Sequence, residues 1–348
     1  MRKYGFVMTF VMLVTLTDMS TARAQSSVQP GVLGNRATEI LTTEPITLET
    51  PTGSLFGTLT LPKSRSPVPV VLIVAGSGPT DRDGNSPLLK GANNSLKLVA
   101  EGLAAHGIAS VRYDKRGVGE TGKIMQLEAE KTKSVLREQD LSFEAFIDDA
   151  VRWGKQLRAD RRFSRLAVLG HSEGSLIGMV AAQRMGADTF ISIAGAGRPV
   201  QQIILEQVRS QLPPELLKTT EDILDQLSAG KTVESVPAEL QVLFRPSVQP
   251  YLISWLRYDP AKEIAKLCIP VLIVQGTTDL QASPEDAKRL VKGNPAAKLL
   301  FIEGMNHVLK TVPNEQKSQV SSYGDPTLPV APDLIGVIVS FAKENRIR

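Results

Sequence analysis

Apolar residues along the chain fall into short unbroken runs, separated by longer stretches in which they recur every three or four positions. Val68 to Val74 (VPVVLIV) is such a run, bounded by turn residues, and it predicts a strand buried on both faces. Leu166 to Leu169, Thr189 to Ile193, Ile269 to Val274 and Lys298 to Ile302 repeat the pattern, and Ile108 to Tyr113 is a shorter strand. Between them, Leu96 to His106, Phe143 to Leu157, the stretch after Gly174 and Leu334 to Glu344 have helical spacing. This alternation predicts an α/β fold with a mostly parallel central sheet and helices on both faces. Ahead of it, Ile46 to Thr50 and Ser54 to Leu61 flank the turn Pro51-Thr52-Gly53. They predict an antiparallel pair whose second strand is a half-exposed edge. The charged stretch that ends at Asp140 reads as an exposed excursion.

The rhythm breaks once. From Pro199 to about Lys266 no strand is predicted, only helical stretches at Gln201 to Leu212, Glu221 to Leu227, Ala238 to Phe244 and Val248 to Trp255. Ile204, Val208, Leu212 and Leu216 recur at helical spacing and should be local core. As an insertion at the top of the sheet, residues 199–266 would form a lid, with Phe244, Tyr251, Trp255 and Leu256 as candidate apolar walls.

The first 24 residues follow a third pattern. Arg2 and Lys3 precede the apolar stretch Phe6 to Leu16, and Ala22-Arg23-Ala24 fits a small-x-small cleavage site before Gln25. This predicts a secretory signal peptide over residues 1–24 and an exported product, periplasmic or secreted. The apolar run is short of the roughly 20 residues that span a bilayer, so no stable membrane anchor is expected after cleavage. Residues 25–45 read as a flexible lead-in, and residues 46–348 as one α/β domain carrying the lid.

Composition narrows the choice of partner. With 42% hydrophobic and 22% charged residues the chain is globular. Its net charge of +4 drops to +2 once Arg2, Lys3, Arg23 and Asp18 leave with the leader. Aromatic residues are 5% of the chain and form no stripe with basic ones, so nucleic acid is not the expected partner. One cysteine, Cys268, permits no internal disulfide and is expected to be a buried small hydrophobe. Three histidines and one cysteine give little support to a metal site, and no cofactor is expected.

The chemistry centres on Leu166 to Ile177 (LAVLGHSEGSLI), in which an apolar strand runs into Gly170-His171-Ser172-Glu173-Gly174 and then a helix. This is the strand, sharp turn and helix of a nucleophile elbow, with Ser172 at the apex. A serine hydroxyl needs a base, the base needs an orienting carboxylate, and the developing oxyanion needs donors. On this architecture the order along the chain is Ser, acid, His. Asp279 follows one strand in a Gly-Thr-Thr-Asp loop, and His307 follows the next in a Gly-Met-Asn-His loop. Both loops belong to the carboxyl edge of the sheet, where open α/β sheets bind ligands. The competitors are placed differently. His171 is locked beside the nucleophile and His106 closes a helix. Asp259 precedes its strand, and Asp286 belongs to a helix cap. Asp114 and Arg116 are expected to shape their loop. The backbone N–H of Glu173 is one expected oxyanion donor. The other should come from Gly76-Ser77-Gly78, with Ser77 favoured and Gly78 close behind.

Taken together, Ala75 to Asn85 (AGSGPTDRDGN), GHSEG, Gln275 to Gln281 (QGTTDLQ) and Gly304 to His307 (GMNH) span most of the mature chain. In them the sequence resembles the α/β-hydrolase superfamily. It is most similar to bacterial serine carboxylesterases related to dienelactone hydrolases and prolyl-oligopeptidase-like peptidases. It departs from lipase-like relatives in having Ala75, not histidine, before the oxyanion glycine. The resemblance implies the same triad and hydrolysis of small acyl esters, often short-chain. A peptidase or a thioesterase on the same triad is the alternative. The residues ahead of Ile46 are too few for a propeller that screens peptides, and an exported protein does not meet cytosolic acyl-CoA. A non-catalytic binding protein on this scaffold would require a broken triad, which the sequence does not have.

Overall fold

The computed structural model describes residues 41–132 and 137–344. The expected leader, and the lead-in as far as residue 40, lie outside them. Eight strands form one sheet: β1 (Leu41–Thr50), β2 (Gly53–Pro62), β3 (Val68–Val74), β4 (Ala109–Tyr113), β5 (Phe163–His171), β6 (Thr189–Ile193), β7 (Val271–Gly276) and β8 (Lys298–Ile302). Their spatial order is β1-β2-β4-β3-β5-β6-β7-β8. β1, β2 and β4 pair antiparallel, and every pairing from β4–β3 to β7–β8 is parallel.

The central strands are buried on both faces because the sheet separates two cores. Val70, Leu72 and Val74 of β3 face one, which also holds Trp153 and Leu176; Val71 and Ile73 face the other, with Leu96, Leu103, Leu334 and Ile338. Successive side chains on a strand point to opposite faces, so an unbroken apolar run supplies both cores. The flanking helices are α1 (Ser95–Ala105), α2 (Gly119–Thr132), α3 (Phe143–Ala159) and α4 (Glu173–Met185), followed after the insertion by α10 (Pro284–Gly293), α11 (Gln316–Ser322) and α12 (Pro332–Glu344). The insertion between β6 and β7 holds α5 (Val200–Arg209), α6 (Pro214–Ser228), α7 (Gln241–Phe244), α8 (Gln249–Trp255) and α9 (Pro260–Ile264), with no strand among its residues.

Four expectations change. β2 is not an edge, since it pairs on one side with β1 and on the other with β4. The edge is β1, which begins at Leu41 and so takes up Leu41 to Pro45 of the lead-in. Its polar, mostly exposed side chains hid it; Pro45 is tolerated because an edge strand leaves one row of N–H positions unpaired. The charged excursion contains helix α2 and a 3₁₀ turn at Glu138–Asp140. Its Met, Gln, Leu, Glu and Ala residues are strong helix formers without a clear apolar stripe. Cys268 is exposed, because β7 starts only at Val271 and Cys268 lies in the loop before it. His106 does close α1, with Nδ1 on the Gly102 carbonyl at 2.8 Å.

Because β3, β5, β6, β7 and β8 run the same way, the loops that leave them share one edge of the sheet. The pairing of Val74 with Gly170 sets the loop after β3 beside the elbow. The pairing of Gly276 with Ile302 sets the loops of Asp279 and His307 side by side.

Candidate active site

Ser172 sits between β5 and α4 with φ 56° and ψ −123°, in left-handed territory that a non-glycine residue enters at a cost of roughly 1–3 kcal/mol. The surroundings hold it there. Its N–H donates to the Ile193 carbonyl at 3.0 Å, and its own carbonyl accepts from Ser175 at 2.9 Å. The two glycines are required by close packing. A Cβ on Gly170 would come within 2.2 Å of the Gly174 carbonyl oxygen, and one on Gly174 within 2.2 Å of that of Val74. The Ser172 side chain makes no cap hydrogen bond to α4. Its Oγ instead meets His307 Nε2 at 3.1 Å.

His307 Nδ1 lies 2.9 Å from Asp279 Oδ2 and 3.1 Å from Oδ1. The carboxylate accepts, so the imidazole proton belongs on Nδ1 and the Nε2 lone pair faces the serine. Asp279 is itself fixed. Its Oδ1 accepts from the backbone N–H of Gln281 at 2.8 Å and of Ala282 at 3.0 Å, and its Oδ2 from Gln275 Nε2 at 3.3 Å. Ser172, Asp279 and His307, distant in sequence, thus form one hydrogen-bonded chain. His171 supports it from below, with Nε2 2.8 Å from the His307 backbone carbonyl. Burial, and then the neighbouring His307, push the His171 pKa down to about 4. The ring is neutral near pH 7, with its proton on the nitrogen that donates to that carbonyl.

On the other side of the serine, the loop after β3 comes so near that a Cβ on Gly76 would meet the Ser172 Cβ at 3.1 Å. The Glu173 N–H is the first of α4 and has no intrahelical acceptor one turn back. Ser77 and Gly78 also donate to no backbone acceptor among the described residues. Gly78 has φ 69°, which suits glycine. The Glu173 side chain turns inward to Lys115, whose Nζ lies 3.1 Å from Oε1 and 2.5 Å from the Gly76 carbonyl oxygen. Sequence reasoning passed over Lys115, because its partners are 39 and 58 residues away along the chain.

The insertion reaches this region through Tyr251, which with Gly78, Pro79, Lys115, Phe146 and Glu173 lines a cavity of about 20 Å³, room for roughly one water. Burial, and then the facing Glu173 carboxylate, hold the Tyr251 phenol well above its ordinary pKa. Trp255 stacks on Phe143 of α3, with centroids 5.3 Å apart, and Phe244 is fully buried, so these two serve packing, Trp255 by fastening the insertion to α3. Leu256 is partly buried against the same core.

The other residues weighed from sequence are structural. Arg116 makes a two-point pair with Asp149 at 2.6 and 2.7 Å, and Asp114 holds the backbone N–H groups of Arg82 and Glu120, both at 2.8 Å. Asp259 caps α9, and Asp286 closes a capping box on α10 while pairing with Arg198. Among the described residues no cluster of three His, Cys, Asp or Glu side chains is placed to hold a metal ion. No helix among them is long and apolar enough to cross a membrane.

Comparison with known proteins gives the family and the fold. Residues 93–314 match the serine aminopeptidase S33 family of hydrolases. Esterase EstD of Thermotoga maritima is 32% identical over 272 residues, covering 77% of this chain and 61% of its own length. The chain thus spans about three fifths of that relative. Among solved structures, Est1E of Butyrivibrio proteoclasticus with bound ferulic acid superposes with a TM-score of 0.55 at 18% identity, over 86% of this chain and 96% of that one. A Mycobacterium tuberculosis puromycin-hydrolysing peptidase gives 0.56 at 16% identity, over 90% and 41%. At those identities the likeness shows the fold. The fold, the elbow and the family match lead to one conclusion: the chain belongs to the serine aminopeptidase S33 family of α/β hydrolases.

Proposed function

We propose that this protein is a serine esterase that cleaves small carboxylic esters through an acyl-enzyme on Ser172. The observation that carries the reading is the hydrogen-bonded chain from Asp279 through His307 to Ser172 Oγ. Ser172 Oγ attacks the ester carbonyl as its proton passes to His307 Nε2. The tetrahedral oxyanion is held by the N–H groups of Glu173 and Ser77 or Gly78. Collapse expels the alcohol, which takes the proton from His307. Water then gives His307 a proton as its hydroxyl oxygen attacks the acyl group, and the acid leaves as Ser172 recovers its hydrogen. Asp279 holds the tautomer throughout and stabilises the imidazolium. The esterase name of the Thermotoga relative supports ester over amide substrates. The family's aminopeptidase name favours amide cleavage as the second reading.

The test is turnover of short and long p-nitrophenyl esters, aminoacyl anilides and acyl thioesters side by side, by wild type and Ser172→Ala. Short esters should give the highest kcat/KM, and Ser172→Ala should lose turnover without losing its fold. Faster turnover of anilides would move the assignment to a peptidase. The leader pattern supports export, and the N-terminus of exported protein should then read from Gln25.

A further inference from the structure

The buried lysine beside the nucleophile has no part in the proton transfers above, yet it touches both walls of the site. Lys115 is 3% exposed, and Glu173, its carboxylate partner, is 2% exposed at the side chain. Its ammonium also lies 5.4 Å from the centre of the Phe146 ring. Placing an ammonium in such surroundings is costly unless its partners are well arranged. The partners it has are the Gly76 carbonyl at 2.5 Å and the side chain of the residue after the nucleophile.

We propose that Lys115 is a positioning residue that builds the oxyanion hole by fixing the Gly76–Ser77 peptide. The Gly76 carbonyl and the Ser77 N–H belong to one planar amide. Among the described residues no peptide bond is cis, and in a trans peptide the N–H points opposite to the C=O. Anchoring the carbonyl on the ammonium therefore turns the Ser77 N–H away from Lys115, and no backbone acceptor among the described residues consumes it. A charge on the carbonyl also polarises the amide and strengthens its N–H as a donor. The Glu173 carboxylate is tied to the same ammonium, so one group sets the spacing between the two peptide donors. This selects Ser77 over Gly78 as the second donor. Gly76 cannot do the work of Lys115 alone: lacking a side chain, it would let the peptide rotate.

The inference rests on Ser172 being the nucleophile, but the two fail differently. A wild-type protein that hydrolyses no acyl substrate defeats the esterase reading. An active wild type matched by Lys115→Met defeats only the role of the lysine. The experiment compares wild type, Lys115→Met and the double variant Lys115→Met with Glu173→Gln, the last leaving no uncompensated buried charge. It reads kcat and KM on a short p-nitrophenyl ester, and the inhibition constant of an alkyl trifluoromethyl ketone, which forms a hemiketal oxyanion on the serine. Losing the use of one oxyanion donor lowers kcat by about 10²–10³-fold. Lys115→Met should show a loss of that order with KM within a few fold, and should weaken the ketone by the same factor. The double variant should stay equally impaired, because it also leaves the Gly76 carbonyl unanchored. Recovery of wild-type kcat in the double variant would overturn the proposal, since the lysine would then merely neutralise Glu173. A kcat loss with unchanged ketone affinity would overturn it as well. If Lys115→Met alone fails to fold, the double variant decides by the same two readings.

Discussion

Asp279→Asn tests the orienting carboxylate, and the structure says which way the amide must face. Oδ1 receives two backbone N–H groups, from Gln281 at 2.8 Å and Ala282 at 3.0 Å. Placing the amide nitrogen there would set donor against donor twice, at about 1–3 kcal/mol for each buried group left unsatisfied. The amide oxygen therefore keeps that position, and the nitrogen takes the place of Oδ2, where it opposes only the longer contact from Gln275 Nε2 at 3.3 Å and lies 2.9 Å from His307 Nδ1. It donates, so Nδ1 must be bare and the imidazole proton moves to Nε2. That nitrogen is 3.1 Å from Ser172 Oγ and, once protonated, cannot accept its hydrogen. Loss of the correct tautomer costs about 10⁴-fold in kcat in triads of this kind, or about 5 kcal/mol. Ester turnover by the variant should fall by that order, with KM within a few fold and a melting temperature near that of wild type. A folded Asp279→Asn protein within tenfold of wild-type kcat would refute the reasoning.

Other outcomes follow from the same geometry. His171 is neutral in the fold, with a pKa of about 4 against 6.5 when unfolded. The unfolded chain therefore takes up a proton that the folded one refuses. The contribution is full above pH 6.5 and is lost as pH falls towards 4, by about 3 kcal/mol. Urea unfolding from pH 7 to 4 should show this slope and a flatter one in His171→Phe; equal slopes would contradict it. Gly174→Ala drives a Cβ to 2.2 Å from the rigid Val74 carbonyl, so both kcat and melting temperature should fall, with kcat down at least about tenfold. Normal kinetics in that variant would contradict the close packing of the elbow on β3. Cys268 is exposed ahead of β7, at the end of the strand opposite to Asp279. Native protein should react with a thiol reagent at Cys268 and keep its esterase activity; a thiol that reacts only after unfolding would contradict the exposed position.

The parts of this fold legible in the sequence are those whose signal is local. β3, β6 and β8 match their expected bounds because an apolar run between turn residues has few other uses. Ser172, Asp279 and His307 could be chosen because each follows such a run, and parallel strands bring the ends of those runs to one edge. What was hidden depends on tertiary placement. β1 is the edge of the sheet among the described residues and its side chains are mostly exposed, so its polar sequence has no apolar run and Leu41 to Pro45 looked like a lead-in. α2 forms from propensity more than from an apolar face, which periodicity does not detect. Cys268 looked buried because the strand that follows it is, but the strand begins at Val271. Lys115 was the deepest omission. A lysine in a charged loop reads as solvated until the chain is folded and Gly76 and Glu173 close over it.

Catalysis stands on Ser172, activated by His307, as the nucleophile. Peptide mapping by mass spectrometry after fluorophosphonate treatment tests it most directly, with wild type, His307→Ala and Ser172→Ala treated alike. The wild type should carry a single phosphonyl adduct on Ser172, formed far more slowly in His307→Ala and not at all in Ser172→Ala. An adduct on another serine, or undiminished labelling of Ser172→Ala, would contradict it.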